Sequence, residues 1–211
     1  MVKDWSLERS TMVDTIKRYG VKDERVLVAM GEVPRHRFIP EGYQRCNAYG
    51  NHPCPIGHNA TISQPFIVAY MTSKMDPRPS EKVLEVGTGS GYQAAILGAL
   101  GLEVYSVEIV PELAVHAKQV LADEGFTRVH VRTGDGYEGW PEHAPFDIMI
   151  VTCAPEEMPR ALVDQLREGG RMILPLGGYS QRLVILRKKD GQIVQEEDIA
   201  VRFVPMVKGL K

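Results

Sequence analysis

No apolar run of signal-peptide or membrane-spanning length occurs in the 211 residues, so the chain reads as cytoplasmic. Cysteine is scarce. Cys46, Cys54 and Cys153 cannot all pair, and their spacing matches no zinc pattern, so reduced thiols are expected. Six histidines form no H-x-x-x-H or H-E-x-x-H pair, which leaves no metal site to assign. Neither sign of charge dominates: the formal net charge is −2, which excludes a broad basic surface for nucleic acid or anionic membrane. A local basic patch around Arg35 to Arg45 stays open. Internal repeats and low-complexity segments are absent too. What remains is ordinary globular composition, 44% hydrophobic and 25% charged, and one α/β domain able to bury roughly 70% of its unfolded surface.

Against that plain background, residues 83–92 stand out: V-L-E-V-G-T-G-S-G-Y. Val83 to Val86 read as a buried strand. Gly87, Gly89 and Gly91 allow sharp turns, and Tyr92 to Leu100 reads as a helix returning along the sheet. Strand, glycine loop and helix together form a nucleotide-type ligand site at the carboxyl end of a strand. A dinucleotide fingerprint would place its third glycine where Tyr92 stands, and a P-loop needs a lysine that is missing. The motif is E-x-G-x-G-x-G, Glu85 to Gly91, with a second acid, Glu108, closing the next apolar run. A carboxylate there can accept hydrogen bonds from both hydroxyls of a ribose. The pairing resembles S-adenosylmethionine-dependent methyltransferases of the Rossmann-like class. Any other nucleotide-binding α/β domain, or merely a tight turn, is the plainer alternative.

The rest of the chain supplies the frame. An amphipathic helix carries Met12, Val13, Ile16 and Tyr19 and ends at Gly20. Asp23 caps a second helix with Val26, Leu27 and Met30, which stops before Pro34. Residues 34–60 are proline-broken and read as a long irregular loop. A helix follows from Pro65 to about Lys74. From Lys82 onward strands are expected at 82–86, 103–107, 128–132, 146–151, 171–174, 182–187 and about 199–204. Helices fall at 91–100, 111–124 and 156–167, the last ended by Gly169-Gly170. Alternation of this kind gives a mainly parallel seven-stranded sheet flanked by helices. Asp190-Gly191 marks a hairpin, so one edge is antiparallel. The whole, 1–211, reads as one methyltransferase domain, with an N-terminal helical and loop extension (1–80) on a cofactor-binding core (81–211).

Residues 53–65, P-C-P-I-G-H-N-A-T-I-S-Q-P, resemble the signature of protein-L-isoaspartate (D-aspartate) O-methyltransferases. V-P-R-H-R-F-I-P (33–40), G-D-G (134–136), A-P-F-D-I-M-I-V-T (144–152), the run 165–177 and F-V-P (203–205) are similar to further blocks of that family. Two departures occur: Asn51 stands where the family usually has an acid, and Cys54 replaces a common leucine. The resemblance implies S-adenosylmethionine as cofactor, with S-adenosylhomocysteine as product. It implies methyl transfer to the free α-carboxylate of L-isoaspartyl residues in damaged proteins and peptides, the start of repair through a succinimide. Whether the β-carboxylate of D-aspartyl residues is also accepted stays open. The enzyme is expected to act as a monomer, without nucleic acid or membrane.

Residue by residue, the resemblance implies that Thr61, Ile62 and Ser63 line the meeting point of cofactor and substrate, Ser63 matching the active-site serine. Glu85, Gly87, Thr88, Gly89, Ser90 and Gly91 form the cofactor loop. Glu108 takes the ribose, Ile109 lies against the adenine, and Asp135 with Gly136 borders it. Ile56 and Val204 help hold the substrate, while Asp147 is structural. From spacing alone, Ser63 has a second reading as the cap of the helix that follows it. Rivals to the whole assignment are a methyltransferase for another acceptor, a non-catalytic cofactor-binding module, and a nicotinamide oxidoreductase.

Overall fold

The computed structural model describes residues 4–43 and 46–209. Strand residues alternate between two apolar clusters, so both faces of the sheet are buried, as a parallel sheet requires. Along 146–151, Ile148 and Ile150 join one cluster, while Phe146, Met149 and Val151 join the other.

Two helices open the chain, α1 (Ser6–Arg18) and α2 (Glu24–Glu32). Met12 and Ile16 are buried as expected, but Val13 is half-buried and Tyr19 is exposed, its ring beside Phe66. Asp23 caps α2 by accepting from Arg25 N. Two short 3-10 turns follow. Then comes a hairpin, β1 (Cys54–Gly57) and β2 (Ala60–Ile62), within the stretch expected to be irregular. His58 and Asn59 at its tip both have left-handed φ, 51° and 57°, as a tight two-residue turn demands. Helix α3 (Pro65–Lys74) completes the N-terminal layer, which shares a core with one face of the sheet. Arg35 is no surface cation. It is fully buried, donates Nε to Ala48 O at 2.7 Å, and lies over the Tyr92 ring; burial pulls its guanidinium down to about 10. Arg45, the far end of the expected basic cluster, lies outside the described residues.

The main sheet contains β3 (Lys82–Val86), β4 (Glu103–Glu108), β5 (Val129–Thr133), β6 (Phe146–Val151), β7 (Leu166–Leu176), β8 (Gln181–Lys189) and β9 (Gln192–Val201). Their order is β5-β4-β3-β6-β7-β8-β9, parallel from β5 to β7 and antiparallel beyond. Helices α4 (Tyr92–Ala99), α5 (Pro111–Asp123) and α6 (Arg160–Asp164) connect the parallel strands. The order reverses between β3 and β6, and the carboxyl ends of those strands open a crevice.

Two expectations need correction. The helix at 156–167 shrinks to five residues, because Leu166 already pairs with Phe146 and the sheet claims the chain. Gly169-Gly170 therefore sits in an outward bulge of β7, between Leu166 and Arg171, instead of ending a helix. The last strand begins at Gln192, directly after the Asp190-Gly191 turn, and ends at Val201. Phe203 to Pro205 leave the sheet, and Pro205 bridges in parallel to Ala154. Asp147 does structural work, accepting from Lys82 N and pairing with Arg167. Among the described residues no helix is long and apolar enough to cross a membrane.

Gly91 starts α4 at φ 86°, and a Cβ there would sit 3.3 Å from both Ala117 and Leu121 on α5. Gly91→Ala should cost about 1–3 kcal/mol in chemical denaturation. An unchanged midpoint would contradict this tight seating of α4 on α5.

Candidate active site

The crevice is a cleft of about 320 Å³ between the strand ends and the N-terminal layer. Its floor is the glycine loop after β3. Gly87 has φ 94°, and a Cβ there would fall 2.5 Å from Thr152 Oγ1. Close approach is what the position needs: Thr152 donates its hydroxyl to the carbonyls of Val86 and Gly87, at 3.0 and 2.6 Å. The loop is thereby clamped to the end of β6.

Two carboxyl groups face the cleft from adjacent strands. Glu108 closes β4, and its oxygens accept from Gly89 N at 2.7 Å and from Val110 N at 3.0 Å. Each oxygen keeps a lone pair for a ligand. Glu85, on β3, is fully buried. Ser106 Oγ donates to one of its oxygens, and Thr88 Oγ1 pairs with Ser106 Oγ at 2.5 Å, but Oε1 has no partner. Burial raises this carboxyl, the Ser106 bond opposes the rise, and Glu108 adds to it, bringing Glu85 up to about 8. Cys153, also on the wall, is pushed up to about 12 by burial and by both acids, so it presents a neutral thiol.

Thr61 and Ile62 reach the wall from β2, and Ser63 follows them. Ser63 does not cap α3. The cap position is Gln64, without a side-chain bond, and the free amide of Phe66 is taken by Asn51 Oδ1 at 3.1 Å. Asn51 thus does the capping from another loop. Ser63 is half-buried, and its hydroxyl has no protein partner among the described residues.

Thr88, Gly89, Ser90, Ile109, Gly136 and Val204 also line the cleft. Three expected residues stand behind it. Gly91 is in the start of α4, Ile56 is packed beneath Gly89, and Asp135 accepts from the amides of Tyr137 and Gly209. Phe203, from the F-V-P block, lines the wall; Thr152, Cys153, Met206 and Val207 line it without having been assigned a role. The signal for Thr152 was its place at the end of the strand beside β3. The tail residues gave none beyond their nearness to F-V-P.

A parallel sheet whose order reverses beside an acid-ended glycine loop, with a second carboxylate at the next strand end, defines a Rossmann-like methyltransferase. The sequence profile of protein-L-isoaspartate(D-aspartate) O-methyltransferases matches residues 7–211. A protein-L-isoaspartate O-methyltransferase of Gloeobacter violaceus is 54% identical over 200 residues, 93% of this chain and 97% of that one. A solved protein-L-isoaspartate O-methyltransferase superposes with a TM-score of 0.86 at 30% identity, over 96% of this chain and 66% of that one. Another, from Plasmodium falciparum and in complex with S-adenosyl-L-homocysteine, gives 0.85 at 25% identity, over 95% and 99%. The chain belongs to the protein-L-isoaspartate(D-aspartate) O-methyltransferase family.

Glu85 makes the stability of the free protein depend on pH. Its folded value, about 8, lies above the ordinary 4.5, so the native state keeps a proton that the unfolded chain releases. Stability from this group is full below 4.5 and is lost as pH rises through about 8. Glu85→Gln should therefore gain on the wild type between those limits, read as urea-unfolding curves at the two ends. Parallel pH profiles would contradict the buried, protonated carboxyl.

Proposed function

We propose that this chain transfers a methyl group from S-adenosylmethionine to the free α-carboxylate of L-isoaspartyl residues in proteins and peptides. The observation that carries this reading is a cleft with an unfilled acceptor on its floor, Glu85 Oε1, an unengaged hydroxyl on its wall, Ser63, and, among the described residues, no paired general base. The titratable side chains on the lining are His58, Glu85, Tyr92, Glu108 and Cys153. His58 is exposed at the β1–β2 turn and makes no bond to an acid. Tyr92 is raised by burial and Cys153 is a neutral thiol. Such a site suits an acceptor that is already ionised at neutral pH, as a carboxylate is. A hydroxyl or amine would need its proton removed.

S-adenosylmethionine, when bound, supplies a methyl carbon made electrophilic by the positively charged sulfur. The residues here would hold it through its polar edges. Glu108 would accept from the ribose hydroxyls, Glu85 Oε1 from the amino group, and the amides of the glycine loop would meet the carboxylate end. Ile109 and Gly136 would flank the adenine. Ser63 would donate to one oxygen of the substrate carboxylate and aim the other. Alignment of this kind can contribute roughly 7–11 kcal/mol at the extreme. The start of α3 adds a partial positive charge beside that carboxylate. Thr61 and Val204 would bound the displaced peptide backbone, with Ile56 supporting the glycine loop from behind.

The product methyl ester carries a better leaving group, methanol, than the carboxylate does. The next amide nitrogen attacks it, alcohol departs, and the succinimide opens in water to a mixture that includes normal aspartate. No residue is needed for those later steps.

The test is methyl transfer from labelled cofactor to two peptides of one sequence, isoaspartyl and aspartyl, with Ser63→Ala beside the wild type. Base-labile ester should form on the isoaspartyl peptide alone. Ser63→Ala should lower kcat about 10²-fold, with cofactor affinity kept. Labelling of both peptides alike would leave a methyltransferase of other specificity, and full activity in Ser63→Ala would remove the serine from the reaction.

A further inference from the structure

A second constellation lies outside the cleft, at the base of the β1–β2 hairpin. Cys46 and Cys54 form a disulfide, contrary to the reduced thiols expected from the sequence, with Cα atoms 6.0 Å apart. The imidazole of His52 stands over them, Nδ1 lying 3.9 Å from Cys46 Sγ and 4.0 Å from Cys54 Sγ. All three donor atoms lie within 4.8 Å of one another. Nδ1 also donates to Pro53 O at 3.1 Å, a bond it would give up to turn a lone pair on a cation. Two thiolates and one imidazole so arranged make the donor set of a borderline-soft divalent cation.

The local chain explains the convergence. Gly50 N donates to Asn47 O at 3.0 Å and His52 N to Gly50 O at 2.8 Å, so the segment folds back on itself between the two cysteines. Cys54 starts β1 and is fully buried, Cys46 is half-buried, and His52 faces solvent. The spacing, C-x5-H-x-C, is unlike the usual zinc patterns, which hides the site from a motif reading.

We propose that in the reduced protein Cys46, His52 and Cys54 bind one cation of the zinc class, with a fourth position open to water. A thiol reductant delivers two electrons and two protons to the disulfide, breaking the S–S bond and leaving two thiols. The cation then displaces both thiol protons to solvent and keeps its +2 charge. Paired thiolates are costly near a buried strand, and the +2 charge neutralises them. The disulfide and the metal are mutually exclusive occupants of one clip. Either one ties residues 46–54 together, and that segment carries Asn51, the cap of α3. Occupancy would therefore be felt at the start of α3, next to Ser63.

The test is a titration of the full chain with Co²⁺, after reduction by a phosphine and removal of bound metal. One equivalent should bind with a thiolate-to-cobalt charge-transfer band, Zn²⁺ should abolish the band, and the oxidised protein should show none. Cys46→Ser and His52→Ala should each weaken Zn²⁺ binding by about tenfold or more, measured against a chromophoric chelator. Circular dichroism checks that both variants fold; His52 is exposed, so His52→Ala stands alone if Cys46→Ser does not. Absence of stoichiometric cobalt binding in the reduced wild type overturns the proposal. So does wild-type affinity in His52→Ala.

Discussion

Glu85 and Glu108 end neighbouring strands and face the same cleft, yet the chain satisfies them in opposite ways. Glu108 is held by two backbone amides, Gly89 N and Val110 N, which fix the glycine loop to the start of α5. Glu85 has one hydroxyl for one oxygen and nothing for the other. A fully buried acceptor without a donor is costly, and it is tolerated here because the carboxyl holds its proton up to about 8. The geometry of the loop and the sheet reversal put this unmet demand where a ligand enters. A cationic ligand group would meet it.

The N-terminal layer supplies the other wall by a different device. Asn51 caps α3 from a distant loop, so Ser63 is released from the role that its place before a proline-led helix would suggest. The hairpin β1–β2 then carries Thr61 and Ile62 to the cleft, and the cysteine pair anchors its base.

Legibility followed from how locally each feature is encoded. The strand Lys82–Val86, the glycine loop and α4 were readable because apolar run, glycines and helix lie in one continuous stretch. The central strands β3, β4 and β6 were readable from apolar runs buried on both faces. β9 was misplaced because its first residues, Ile193 and Val194 included, are exposed on an edge, where no burial pattern marks them. The β1–β2 hairpin was missed because His58-Asn59 is an unusual pair for its turn. Thr152, Cys153 and the tail at Met206 belong to the cleft through β6 and through the Ala154–Pro205 bridge, contacts that no local pattern reports. The helix at 156–167 failed for the same reason: pairing of Leu166 with Phe146 overrode local preference.

The measurement that reaches the centre of this picture is proton release when S-adenosylhomocysteine binds. Its amino group carries the positive charge that Glu85 lacks, so binding near pH 7 should ionise the carboxyl and release a proton. Calorimetry in two buffers of different ionisation enthalpy should give close to one proton for the wild type and none for Glu85→Gln. Equal apparent enthalpies in both buffers for the wild type would contradict a protonated Glu85 waiting on the floor of the cleft.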